Sequence, residues 1–122
     1  MSKFKEFDPG TTLANQMESK EGPIVLMNIF TVDSNDEDAL LKAWTHDAEF
    51  MKKQPGYIST QLHKGIGEST SYFNYAVWDS VESFRSAFSS PEFQKRIAAY
   101  PESAIASPHL FKKLAVPNFC TE

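Results

Sequence analysis

The chain reads as a single α+β domain in the order β-α-β-β-α-β, the ferredoxin-like pattern of a four-stranded antiparallel sheet with two helices on one face. Three observations predict it. Four runs rich in branched and aromatic residues, IVLMNIFTV, YISTQLH, SYFNYAVW and HLFKKLAV, have strand length and composition. Amphipathic stretches fall between the first and second runs and between the third and fourth. The second and third runs are joined only by Lys64-Gly65-Ile66-Gly67-Glu68-Ser69, whose glycines admit positive φ, so these two make an antiparallel hairpin.

At 122 residues the chain suits one domain and can bury about two thirds of its unfolded surface. An apolar content of 41% and an aromatic content of 13% argue against disorder. The net charge of −4, with no Lys/Arg cluster beyond a pair, excludes a general nucleic-acid or anionic-membrane partner. No run approaches a spanning helix, and the N-terminus lacks a signal-type apolar core, so a soluble, cytoplasmic protein is expected. The single Cys120 forms no intrachain disulfide, fits a reducing compartment and rules out a thiolate metal cage.

Taken in order, residues 1–21 show no periodicity and are either a loose extension or an arm that lays Phe4, Phe7, Leu13 and Met17 on an apolar surface of the same domain or of a partner subunit. The first strand spans Ile24–Val32, with Asn28 on the face of Leu26 and Phe30. Ser34 and Glu37 have capping-box spacing, so a helix is expected from there to about Gln54. Its inward stripe is Leu40, Leu41, Trp44, Ala48 and Met51, and Asp38, Lys42, Asp47, Lys52 and Lys53 face water. Pro55-Gly56 stops this helix. After the hairpin, Asp79-Ser80 starts a helix with Val81, Phe84, Ala87 and Phe88 inward, and Ser90-Pro91-Glu92 restarts it toward Tyr100. The last strand is placed at His109–Val116, behind a Ser/Ala/Pro linker, and residues 118–122 form a loose tail.

Strands one and three are apolar on both faces, yet two helices cover only one. The other face therefore calls for a second subunit packed sheet to sheet, and a homodimer is the simplest form. On the third strand Asn74 and Trp78 share a face by the two-residue alternation of side chains.

The segments IVLMNIFTV, EFMKKQPGYISTQLHK, FNYAVWDSVESFRSAFSSPEFQK and SPHLFKKLAVP resemble the antibiotic biosynthesis monooxygenase (ABM) family over about residues 22–117. That resemblance implies a dimeric α+β barrel and, in the quinone-forming members, oxidation of a phenol or anthrone by O2 with no cofactor and no metal. It assigns Asn74 and Trp78 to catalysis, Asn74 to hold the substrate oxygen and Trp78 to stack on the ring. His63, which matches the family's Leu-His pair, is grouped with them as a catalytic candidate; an imidazole is the natural base for a phenol, and His46 and His109 are the other two, with spacing alone placing none of the three in the pocket. Asn28, Tyr72, Trp44, Phe84 and Phe88 are assigned to substrate contact. Phe84 stands where the family carries a Tyr, and Arg85 or Arg96 only approximates the family's Arg. Two other readings accompany this one: a non-catalytic member that binds a small hydrophobic ligand, and a haem-binding member. For the last, Ile97 occupies about the position of the expected haem-ligating His.

Overall fold

The run from Ile24 to Thr31 forms a strand whose two-sided apolar character matches its place in the interior of the sheet, with a hydrogen-bonded strand on each side. The computed structural model describes residues 3–121. In chain order the elements are β1 (Lys3–Phe4), α1 (Leu13–Gln16), β2 (Ile24–Thr31), α2 (Glu37–Met51), β3 (Tyr57–Lys64), β4 (Ser71–Trp78), α3 (Val81–Phe88), α4 (Pro91–Ile97) and β5 (Ile105–Phe111). The sheet order is β1-β5-β2-β4-β3, antiparallel except for the β1–β5 pair. The last four of these strands give the ferredoxin-like order, and the sheet stays open within one chain.

The expected hairpin forms as β3 and β4. Gly56 enters it at φ +88°, where a Cβ would lie 2.2 Å from Ser83 Oγ, so only glycine fits the turn. Ser80 and Ser90 cap α3 and α4 as anticipated, each side-chain oxygen accepting a backbone N–H at 3.1 Å.

Several expectations require correction. The capping box at Ser34 does not form; a 3-10 turn occupies Ser34–Asp36, and α2 begins at Glu37. Glu37 is engaged elsewhere, accepting from the Tyr72 hydroxyl at 2.5 Å and pairing with Lys64 at 2.9 Å. On α2, Leu41 is exposed and Asp47 is buried, the reverse of the expected faces. Asp47 lies seven residues, about two turns, beyond Leu40 and so shares its side of the helix. The last strand lies at Ile105–Phe111, earlier than His109–Val116, because the Ser/Ala/Pro segment is itself extended. Pro108 is tolerated there. Ala104 and Ala106 offer their carbonyls to the arm and Leu110 turns its backbone to Gln16, so by alternation the Pro108 nitrogen faces the same edge, away from β2.

The arm packs on its own domain. β1 pairs with β5, the Phe7 ring lies 5.3 Å from that of His109, and Leu13 is buried among Leu26, Trp78, Phe84 and Leu110. Gln16 extends the ladder with its side chain, donating to Leu110 C=O at 2.9 Å and accepting from Leu110 N–H at 3.0 Å. In the tail, Val116 bridges to Cys120. Met1, Ser2 and Glu122, the ends of the expected arm and tail, lie outside the described residues.

Helices α2, α3 and α4 cover one face of the sheet. On the other, Ile29 and Tyr75 are exposed beside half-buried Met27, Phe73 and Val77, and Ile58 is 55% exposed.

Candidate functional site

Between the helices and the sheet lies a cavity whose floor is set by strand alternation. Leu26, Asn28 and Phe30 of β2, Thr60 of β3, and Asn74, Ala76 and Trp78 of β4 all face it. Asn28 and Asn74 are direct cross-strand partners. The Thr60 hydroxyl donates to Asn74 Oδ1, which fixes that amide and leaves its NH2 group for a ligand. Asn28 Oδ1 is buried with no partner. At the inner end Trp78 is 1% exposed and meets the rings of Tyr57 and Phe84 edge-on at 5.7 and 5.9 Å.

The roof comes from α2 and α4 and the turn after α4: Trp44, Asp47, Ala48, Met51, Phe93 and Tyr100. The cavity has two compartments. The inner one, about 60 Å³, lies over β2, β3 and β4 and contains Asn74 and Trp78 on its wall. The outer one, about 250 Å³, lies over β2 and β5 and is walled by Phe88, Phe93, Ile97, Pro108 and the arm residue Phe4. Asn28, Phe30, Asp47, Phe93 and Tyr100 border both.

Asp47 is 6% exposed. Burial pushes its carboxyl up to about 6, against the nearby Tyr100 hydroxyl and the charge of Arg96, both of which favour the ionised form. Asp47 Oδ1 has no partner. The Tyr100 hydroxyl is pushed far above the usual phenol value, first by burial and then by the Asp47 charge, so it stays protonated and serves as a donor.

Of the sequence-predicted site residues, Asn28, Asn74, Trp78 and Trp44 meet at the inner compartment, and Phe88 walls the outer one. Phe84 is 0% exposed and forms core behind Trp78 without lining either compartment. Tyr72 belongs to a separate cluster with Phe30 and Leu40, and its hydroxyl is committed to Glu37. His63 points to the opposite face of the sheet, where its ring stacks on Phe73 at 4.3 Å, so the structure does not bring it to the cavity. The two arginines are likewise engaged outside it. Arg85 donates to Met17 C=O, and Arg96 donates to Glu92 and to His46 C=O, each at 2.7 Å. His46 is exposed, and His109 is buried at the β5 edge under Phe7, on the face away from the helices.

Asp47, Tyr100 and Thr60 are the site residues that sequence reasoning missed. For Asp47 the signal was present, since it falls in the same helical stripe as Leu40, Trp44 and Met51. Among the described residues no group of three or more His, Cys, Asp or Glu can hold a metal, and no helix is long and apolar enough to cross a membrane.

The model of the family described as antibiotic biosynthesis monooxygenase matches residues 23–99. Deoxynogalonate monooxygenase of Streptomyces nogalater is 27% identical over 88 residues, which make up 72% of this chain and 74% of that protein. The crystal structure of SnoaB, a cofactor-independent oxygenase from the same organism, superposes with a TM-score of 0.72 at 24% identity, covering 80% of this chain and 99% of that one. A protein of Shewanella loihica, named provisionally as a monooxygenase, gives a TM-score of 0.64 at 32% identity over 80% of this chain and 99% of its own. With the family model matched over more than half its length and its fold shared with these structures, the chain belongs to the antibiotic biosynthesis monooxygenase family.

Proposed function

We propose that this protein is a cofactor-independent monooxygenase that oxidises a phenol- or anthrone-type aromatic with O2. The observation that carries the reading is the pair of facing amides, Asn28 and Asn74, set beside Trp78 in a cavity bordered by a buried carboxylate. An aromatic ring fits the outer compartment, and its oxygen-bearing edge enters the inner one, where the Asn74 NH2 group donates to the oxygen as negative charge grows on it. The substrate anion then passes one electron to O2, the radicals combine at the reacting carbon, and loss of water leaves a carbonyl. One oxygen atom stays in the product and the other leaves as water, so a CH2 group becomes C=O with no other reductant.

The apolar second face of the sheet supports a homodimer, since Ile29, Ile58 and Tyr75 would otherwise stay in water. The exposed free thiol of Cys120 fits a cytoplasmic location.

Oxygen uptake with a 1,8-dihydroxyanthrone tests the activity. Enzyme-dependent uptake is expected, and Asn74→Ala should lower it by about 10²-fold, the usual effect of losing one oxyanion donor, with the fold intact. Uptake no faster than the uncatalysed autoxidation across a panel of anthrones and naphthols would reject the reading and favour a ligand-binding protein.

A further inference from the structure

The junction of the two compartments is bordered by two acceptor oxygens with nothing donating to them, Asp47 Oδ1 in the roof and Asn28 Oδ1 in the floor. Buried acceptors of this kind are costly unless a ligand supplies the donor. A ligand that satisfies both brings hydrogen-bond donors, which the hydroxyls of a neutral polyhydroxylated aromatic supply. The charged and titratable groups around Asp47 do not neutralise it by contact. The Tyr100 hydroxyl lies close enough to favour the ionised form, the Arg96 guanidinium is turned to Glu92 and the His46 carbonyl, and Lys3 stands at the outer wall.

We propose that Asp47 is the proton acceptor of this cavity, its Oδ1 taking the hydroxyl proton of a phenol or of an anthrone's enol form, with Tyr100 as the residue that positions the carboxylate. The step breaks the substrate O–H bond, leaves the electron pair on the substrate oxygen as a phenolate, and places the proton on Oδ1. No oxidant is consumed until the phenolate meets O2. Burial makes this carboxylate a stronger base than an ordinary one while keeping it ionised at neutral pH, the balance a general base needs. The inference rests on the proposed oxygenase reading, which assigns no group to the proton.

Two measurements test it, one of which needs no turnover. The kcat/KM for oxygen uptake is expected to fall on the acid side with a midpoint near 6. Asp47→Asn should lose about 10²- to 10⁴-fold in rate together with that limb. Tyr100→Phe, by removing a donor that favours the ionised carboxylate, should move the limb to higher pH, a shift that a purely structural tie would not produce. A limb that survives in Asp47→Asn overturns the proposal and returns proton handling to another group.

The second measurement uses 1,8-dihydroxyanthraquinone, already oxidised at the reacting carbon, whose visible band reports ionisation of its hydroxyls. Bound beside an ionised Asp47, the dye should ionise about one unit or more higher in pH than when bound to Asp47→Asn, because a carboxylate accepting the hydrogen opposes a second negative charge. Equal ionisation in both proteins, or no binding, overturns the proposal. Absence of anthrone oxidation would reject the oxygenase reading alone, since the dye titration still reports whether Asp47 faces a phenol.

Discussion

Asn28 and Asn74 face each other across the β2–β4 ladder, yet their amides are in different states: Asn74 Oδ1 accepts from Thr60, and Asn28 Oδ1 accepts from nothing. A cross-strand pair of half-buried amides without any bond to each other or to the backbone is a poor stabilising device. The asymmetry instead leaves one fixed amide and one acceptor awaiting a partner.

Asn28→Ala should therefore change stability by less than about 1 kcal/mol, since the substitution removes a buried acceptor that has no bond to lose. Affinity for a hydroxylated aromatic should fall about tenfold. Urea unfolding and fluorescence titration check the two halves, and a large loss of stability would mean that Asn28 is a structural residue.

Thr60→Val should act through Asn74. The substitution preserves shape and strand propensity but removes the hydroxyl that orients the amide, costing about 1 kcal/mol of stability. With the amide free to turn, kcat should drop more than KM rises, because the donor is needed most when charge develops on the substrate oxygen. The full effect of Asn74→Ala sets the upper limit, and a double-mutant cycle of the two would show strong non-additivity.

What was legible in the sequence follows from how local each signal is. The hairpin, the caps at Ser80 and Ser90 and the shared face of Asn74 and Trp78 depend on neighbouring residues and alternation, and all appear as expected. The capping box at Ser34 fails because Glu37 finds better partners in Tyr72 and Lys64, which are distant in the chain. The last strand shifts because Pro108, a breaker by local rules, occupies an edge position that needs no N–H. The charge of Asp47 points to solvent, but its spacing from Leu40 puts it on the buried stripe, and in the fold helix geometry prevails over residue type. His63 ended the expected strand, but its face is fixed by pairing with Phe73, which turns it away from the cavity.

Gln16→Leu should loosen the β5 edge. The side chain supplies both an acceptor and a donor to the Leu110 backbone and lies 3.1 Å from His109 Nε2. Leucine fills the same space and satisfies neither backbone group, for a loss of about 1–3 kcal/mol. Amide exchange at Leu110 should accelerate selectively, while exchange in the β3–β4 hairpin, at the far edge of the sheet, should slow or quicken only with global stability.

Asp47→Asn gives the sharpest stability signature. Its carboxyl rises from 3.8 to about 6 in the folded protein. Between these values the folded state holds a proton that the unfolded chain has released, so the contribution of Asp47 is fully present at low pH and is lost as pH rises through about 6. Above that, the buried ionised carboxylate costs on the order of 3 kcal/mol relative to its protonated form. Asparagine keeps the shape and can still accept from Tyr100, but it never carries the charge. The variant should therefore match the wild type near the lower value and exceed it in stability above the upper one, with a melting temperature higher by several degrees. Thermal unfolding of both proteins across this range checks it. A difference independent of pH would mean that Asp47 does not titrate there. The expected result would show a residue kept at a cost to stability, and that cost is intelligible if the carboxylate meets a proton donor that the protein itself does not provide.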